Sequence, residues 1–149
     1  MNPKTTSTAT FTLTPIHQTS TMYKGSRDDY TISFTYSSSS SIDISYMKLI
    51  AIIFPNPSDA DFLLIGRDCM EAPTSSIEIA ECWIVPNTRI IWIRPVQKAS
   101  YTSNMNIAIT TRDLAIRNPT NTGTVYKSWF TIKFYSYENL TEPALDPIN

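Results

Sequence analysis

The sequence predicts an all-β domain, an antiparallel two-sheet sandwich that carries an N-terminal strand extension. Three observations support this. Short stretches alternate apolar and polar residues with a period of two, and turn-forming residues separate them. No segment sustains an apolar period of 3.6, so helix is expected for at most one turn, within "NPSDADFLLIGRDCM". Glycine occurs only three times, which leaves few tight hairpins and favours longer loops and crossovers between sheets.

The elements follow in order. "TATFTLTP" at 8–15 sets Ala9, Phe11 and Leu13 on one side and Thr10, Thr12 and Thr14 on the other. A polar stretch, "IHQTSTMYKGSRDD", separates it from "YTISFTYS", where Tyr30, Ile32, Phe34 and Tyr36 alternate with Thr31, Ser33 and Thr35. "SSSSS" is a loop, and "SIDISYMKLIAIIFP" carries Ile42 and Ile44 into a continuous apolar strand ending at Phe54, where Pro55 and Pro57 stop it. "DFLLIGRDC" reads as a short strand or edge piece. In "SSIEIAECWIV", Ile77, Ile79 and Glu81 alternate with Glu78, Ala80 and Cys82. "TRIIWIRP" is a buried strand, and "NMNIAITT" alternates Met105, Ile107 and Ile109 with Asn106, Ala108 and Thr110. In "YKSWFTIKFYSYE", Phe130, Ile132 and Phe134 face one way and Trp129, Thr131, Lys133 and Tyr135 the other. "TEPALDPIN" is a proline-broken tail.

Composition narrows the function classes. The formal net charge is −1 and no basic stripe is present, which points away from nucleic acid and anionic membrane. Charged residues are 17%, below the usual quarter, and Ser and Thr, roughly a quarter of the chain, take their place at the surface. Such a surface is common on secreted all-β modules and offers hydroxyls for glycosylation. The even cysteine count and short separation of Cys69 and Cys82 predict one disulfide in an oxidising compartment, although two cysteines also occur by chance in cytosolic proteins. The start "MNPKTTST" has no apolar leader core, and the longest apolar run, "LIAIIF", is too short to span a bilayer. If the protein is secreted, the sequence then reads as its mature form or as a piece of a larger chain.

The chain offers little for catalysis. His17 lies in the polar stretch among Gln18, Thr19 and Ser20, away from any paired nucleophile and carboxylate. The candidate carboxylate pairs, Asp28-Asp29 and Asp59/Asp61, flank turns, where Asp serves local backbone hydrogen bonds. "DAD" lacks the further spaced oxygen ligands of a calcium loop, and no CxxC appears, so no metal or cofactor is expected. Glu81 alternates with isoleucines but belongs at a strand end, facing solvent, and "RDLAIR" at 112–117 reads as surface charge. Trp83, Trp92 and Trp129 are candidates for an aromatic platform; Trp92 lies inside an apolar run and reads as core, whereas Trp129 faces away from the core and is the best aromatic candidate for a subunit contact. "NLT" at Asn139 is the one permitted N-glycan sequon, because Pro blocks "NPS" and "NPT"; Ser37–Ser41 is a candidate O-glycan run or a loop.

The last third adds a more specific pattern. A strand ending in Phe54-Pro55 is followed by Cys69, Cys82, two strands, Asn118-Pro119, Gly123 and a strand opened by Phe130. This order, over residues 28–137, resembles Ig-like β-sandwich repeats of large cell-surface proteins of ciliates and other protists. Two features depart from it: "SSSSSIDIS" stands where such repeats open their long strand through a Gly-rich turn, and the N-terminal strand lies outside the pattern. The resemblance implies an extracellular or cell-surface protein with a structural or adhesive role and no enzymatic activity.

The chain therefore divides into an N-terminal strand and linker (1–27), an Ig-like sandwich (28–138) and a tail (139–149). Three readings of the opening strand stand open. It closes its own sheet, it is a disordered tail that alternates by chance, or it inserts into a neighbouring copy as a donor strand. The 14-residue linker reaches up to roughly 45 Å, and burying Phe11, Leu13 and neighbouring groups contributes on the order of 4–7 kcal/mol before ordering costs. On the third reading Ala9, Phe11 and Leu13 join Trp129 as subunit-interface residues, and the partner is another copy of the chain. The function expected first is a structural subunit of an extracellular filament or coat, assembled head-to-tail. The alternative is a secreted adhesion or carbohydrate-binding module whose partners are glycans.

Overall fold

A computed structural model describes residues 4–6, 10–16, 25–37, 48–57, 61–97, 104–119 and 130–135. Among these residues the chain forms strands and no helix. The strands are β1 (Lys4–Thr6), β2 (Thr10–Pro15), β3 (Arg27–Asp28), β4 (Tyr30–Ser37), β5 (Leu49–Ile53) and β6 (Leu63–Leu64). They continue with β7 (Cys69–Glu71), β8 (Ile79–Ile84), β9 (Ile90–Pro95), β10 (Asn104–Thr111), β11 (Ile116–Arg117) and β12 (Thr131–Tyr135). The all-β, antiparallel expectation holds, and the single helical turn expected near 56–70 does not form in its described part. Ile42, Ile44, Gly123 and the tail lie outside the described residues.

Two larger sheets hold the core, one of order β1-β12-β5-β9-β8 and one of order β2-β4-β10-β7. A small sheet, β3-β11-β6, accompanies them. Period-two alternation explains which residues meet. Ile32 and Phe34 of β4, Ile107 and Ile109 of β10, Ile50 and Ile52 of β5, Ile91 and Ile93 of β9, and Ile132 and Phe134 of β12 form one buried cluster. Phe54, Phe62 and Phe130 close it with edge-on ring contacts of 4.7–5.8 Å between centroids.

β5 is buried at every position, as its unbroken apolar run suggests. Leu49, Ala51 and Ile53 therefore build a second buried cluster with Ile90, Trp92 and Tyr135, on the far face of the five-stranded sheet. Trp83 and Val85 pack against this cluster. Trp92 is fully buried and serves packing, as expected of it.

The N-terminal segment is split between the two sheets. β1 pairs with β12, Lys4 opposite Phe134, and β2 pairs with β4, Phe11 opposite Phe34 and Leu13 opposite Ile32. One short stretch of chain thus covers an edge of each sheet. "KTT" carries no apolar alternation, so β1 is invisible to pattern reading. At the opposite edges, β7 and β8 are joined by the Cys69–Cys82 disulfide and by a bridge between Asp68 and Trp83.

The alternation read for 77–82 holds through Ala80 and breaks beyond it; Glu81 faces solvent as expected, but from within β8 rather than at a strand end. The register of β8 against β9 shifts between Ile79 and Glu81, a β-bulge that reverses the phase. Ile79 and Cys82, three residues apart, both pack on the core, while Glu81 is exposed and Trp83 packs on the far-face cluster.

Candidate assembly surface

The starts and ends of β2, β4, β10 and β7 converge on one end of the molecule. Pro15 lies opposite Tyr30, Thr110 opposite Thr31, and Thr111 opposite Cys69. Asp29 is the node of this end. Its Oδ1 accepts hydrogen bonds from Thr111 Oγ1 (2.9 Å) and Ala115 N (3.0 Å), and its Oδ2 accepts one from Leu114 N (2.9 Å). Its carbonyl accepts the Ile16 N–H at 2.9 Å, and its own N–H donates to Asp28 Oδ1 at 2.7 Å. Thr111 Oγ1 in turn accepts from Tyr30 N at 3.0 Å, and Tyr30 Oη donates to Asn118 Oδ1. Asp28, Asp29, Thr111 and Asn118 are all buried, and the network supplies the partners that buried polar groups require.

This network holds an unusual turn. Asp113 and Leu114 both have positive φ, 63° and 54°, a left-handed conformation that costs most for a residue such as Leu. Arg27 clamps the turn from the other side, with Nε donating to Leu114 O (3.0 Å) and Nη2 to Asp113 O (3.3 Å). Below it, Ile65 N and Gly66 N both donate to Ala115 O. A Cβ at Gly66 would lie 2.4 Å from Ala115 Cβ, so only glycine lets the two backbones approach this closely. "RDLAIR" is thus more than surface charge: it contains a pinned, strained turn. The signal available in sequence was the Asp28-Asp29 pair, read as serving local hydrogen bonds. Asp28 does that, but Asp29 reaches across more than 80 residues of sequence.

Among the described residues the exposed large apolar side chains are Ile16 (44%), Met70 (43%) and Leu114 (40%), and all three belong to this end. Ile16 and Leu114 both bond to Asp29 through their backbone N–H groups. Arg112 Nε lies 3.2 Å from Met70 Sδ, tying Met70 to the same turn.

The residues singled out in the sequence fall as follows. Cys69 and Cys82 form the disulfide, separated by 13 residues. Leu13 is half-buried and packs on the core of its own chain, and Phe11 lies in β2. Ala9, Trp129, Asn139, His17, Asp59 and the serine run beyond Ser37 lie outside the described residues. Glu81 forms an ion pair with Arg94 (2.8 Å), whose guanidinium sits 5.1 Å from the Trp83 ring centroid. Among the described residues no group of three or more His, Cys, Asp or Glu is placed to hold a metal, and no helix is long and apolar enough to cross a membrane. Compared with known protein families, curated proteins and solved structures, the chain gives no match.

The disulfide makes a measurable difference. It joins the edge strands of two sheets across a short loop, and its removal in Cys69→Ser/Cys82→Ser is expected to cost about 3 kcal/mol. Urea denaturation of the oxidised protein and the double variant checks this; a loss under about 1 kcal/mol would show that the backbone pairing holds this edge without the covalent link.

Proposed function

We propose that this chain is a structural subunit of an extracellular filament or cell-surface coat, an Ig-like sandwich assembled head-to-tail by exchange of its N-terminal strand. The split N-terminal segment is the observation that carries the reading. Residues 4–15 complete an edge of each sheet through β1 and β2. A second copy offers the same two edges, β12 and β4, so exchange keeps each of these pairings and adds none that is foreign. The contact is heterologous, segment of one copy into groove of the next, and propagates without closing. The Cys69–Cys82 disulfide supports an oxidising compartment and hence an exterior location.

Electron microscopy of the full chain beside a variant lacking residues 1–15 tests this. Filaments are expected from the full chain alone, while the shortened chain, given a synthetic peptide of residues 1–15, folds and stays single. Polymers formed equally well without the segment would end the exchange reading.

A second reading, a secreted adhesion or carbohydrate-binding module, is favoured by the outer face of the four-stranded sheet. Thr14, Thr31 and Thr110 form one row there and Thr12 and Ser33 the next, up to the buried Ala108, with Thr12 and Ser33 hydroxyls bonded to each other. These rows are uncharged, so a neutral hydroxyl-bearing partner meets no charge to desolvate. A glycan array without binders would remove this reading.

A further inference from the structure

From the path of the chain we infer that Ile16, Met70 and Leu114, framed by Arg112, form the acceptor side of the contact between successive copies, and that the occupant is a second copy of this chain, the one that donates the seated segment. The inference rests on the exchange reading and says where the joint has to be. The N-terminal segment ends at Ile16, whose N–H bonds to Asp29 O, and the described body resumes at Gly25, whose N–H bonds to Pro119 O. Both points lie at the end that carries the 112–115 turn: Asn118 N bonds to Ser26 O, and Arg27 clamps Leu114 and Asp113. In an exchanged pair, Ile16 sits in the acceptor while Gly25 of the same chain stays in the donor. Nine residue steps separate them, which span at most ~30 Å. The acceptor's turn end and the donor's turn end are therefore held within that reach of each other. A contact between the distant ends of two copies is not compatible with so short a tether.

The surface held at this joint is the one that carries the exposed large apolar side chains of the described residues. Its composition, apolar residues with Met and Arg, matches the buried centre of protein contacts rather than their rim. Its rigidity also fits. The turn that presents Leu114 keeps two left-handed non-glycine residues in place through the Asp29 carboxylate and the Arg27 guanidinium. Backbone strain sustained this way recurs where a side chain is displayed for binding, and a pre-ordered tip loses little entropy on contact. The exposed charges here include both signs, Arg112 beside Asp113 and Arg67 beside Asp68, so a neighbouring copy meets no single-sign field.

The test is the double variant Leu114→Asn/Met70→Glu in the full chain. Asparagine tolerates left-handed φ better than leucine, so this change spares or improves the fold while removing the apolar tip. Met70→Glu places a charge on the joint. Polymer formation is followed by sedimentation and electron microscopy, and folding by thermal denaturation. The expected result is a folded single chain whose critical concentration for assembly rises roughly a hundredfold. Assembly at the unaltered concentration would overturn the joint and leave strand exchange standing. A wild-type chain that stays single at every concentration would overturn both. Polymers that survive deletion of residues 1–15 yet vanish in the double variant would uphold the contact and reject the exchange.

Discussion

Replacing Asp29 by alanine is expected to lower stability by about 4 kcal/mol, because three donors lose a charged acceptor at once. Thr111 Oγ1, Leu114 N and Ala115 N all end on this carboxylate, and Thr111 and Ala115 are buried. Hydrogen bonds to an ionised group contribute about 1.5–3 kcal/mol each, and an unsatisfied buried donor costs about 1–3 kcal/mol. Partial relaxation of the turn recovers some of this. For a chain of this size the midpoint of thermal unfolding falls by roughly 8–16 °C. Asp29→Asn separates charge from shape: its amide group replaces one accepting oxygen, so one side of the node is lost and about half the cost is expected. Urea denaturation of the three proteins decides the matter. A loss below about 1 kcal/mol for Asp29→Ala would mean that Arg27 and the Gly66 contact hold the turn without the carboxylate.

Trp92→Ala is the second large effect, also about 4 kcal/mol. Trp92 is fully buried, yet it does not belong to the core between the two sheets. It lies with Leu49, Ala51, Ile53, Ile90 and Tyr135 on the far face of the five-stranded sheet, 5.7 Å from the Tyr135 ring and 6.5 Å from Trp83 between centroids. If that face contributes like an ordinary core, removing the indole leaves a cavity costing as much as in the main cluster. Trp92→Phe keeps most of the apolar area and should cost about 1–2 kcal/mol. Denaturant unfolding of both variants separates the cases. A change under about 1 kcal/mol for Trp92→Ala would show that the far face adds little to folding.

The sheet strands were legible where one face is buried. The alternation in "YTISFTYS" and "NMNIAITT" matches β4 and β10, and the unbroken run around Ile50 correctly signals a strand buried on both sides. Legibility failed for physical reasons. β1 is held at the edge by backbone pairing with β12 and has no side-chain pattern to read. The bulge in β8 inserts a residue, so a period-two reading puts Cys82 on the wrong side, while Glu81 faces solvent as expected. The candidate surface depends on contacts distant in sequence. Asp29 meets Ala115, and Arg27 meets Leu114, and neither pair leaves a local spacing signal. Two adjacent aspartates and a hexapeptide of three charged and three apolar residues remain unremarkable until the fold brings them together.

The split N-terminal segment has a consequence for the order of folding. Lys4–Thr6 is synthesised before every other described strand, and its partner, Thr131–Tyr135, after all of them. β5 and β9 can pair before β12 exists, and in that interval β5 presents an open apolar edge with no neighbour on one side. Pairings this distant in sequence form only after a large loss of chain entropy, which places folding of such topologies in milliseconds to seconds rather than microseconds. The nascent chain therefore passes through a stage in which the first and last strands are both unpaired. Once β12 has paired with β5, its outer edge is open to residues 4–6 of its own chain and to those of any neighbouring chain, so the local concentration of chains at synthesis biases which of the two closes it.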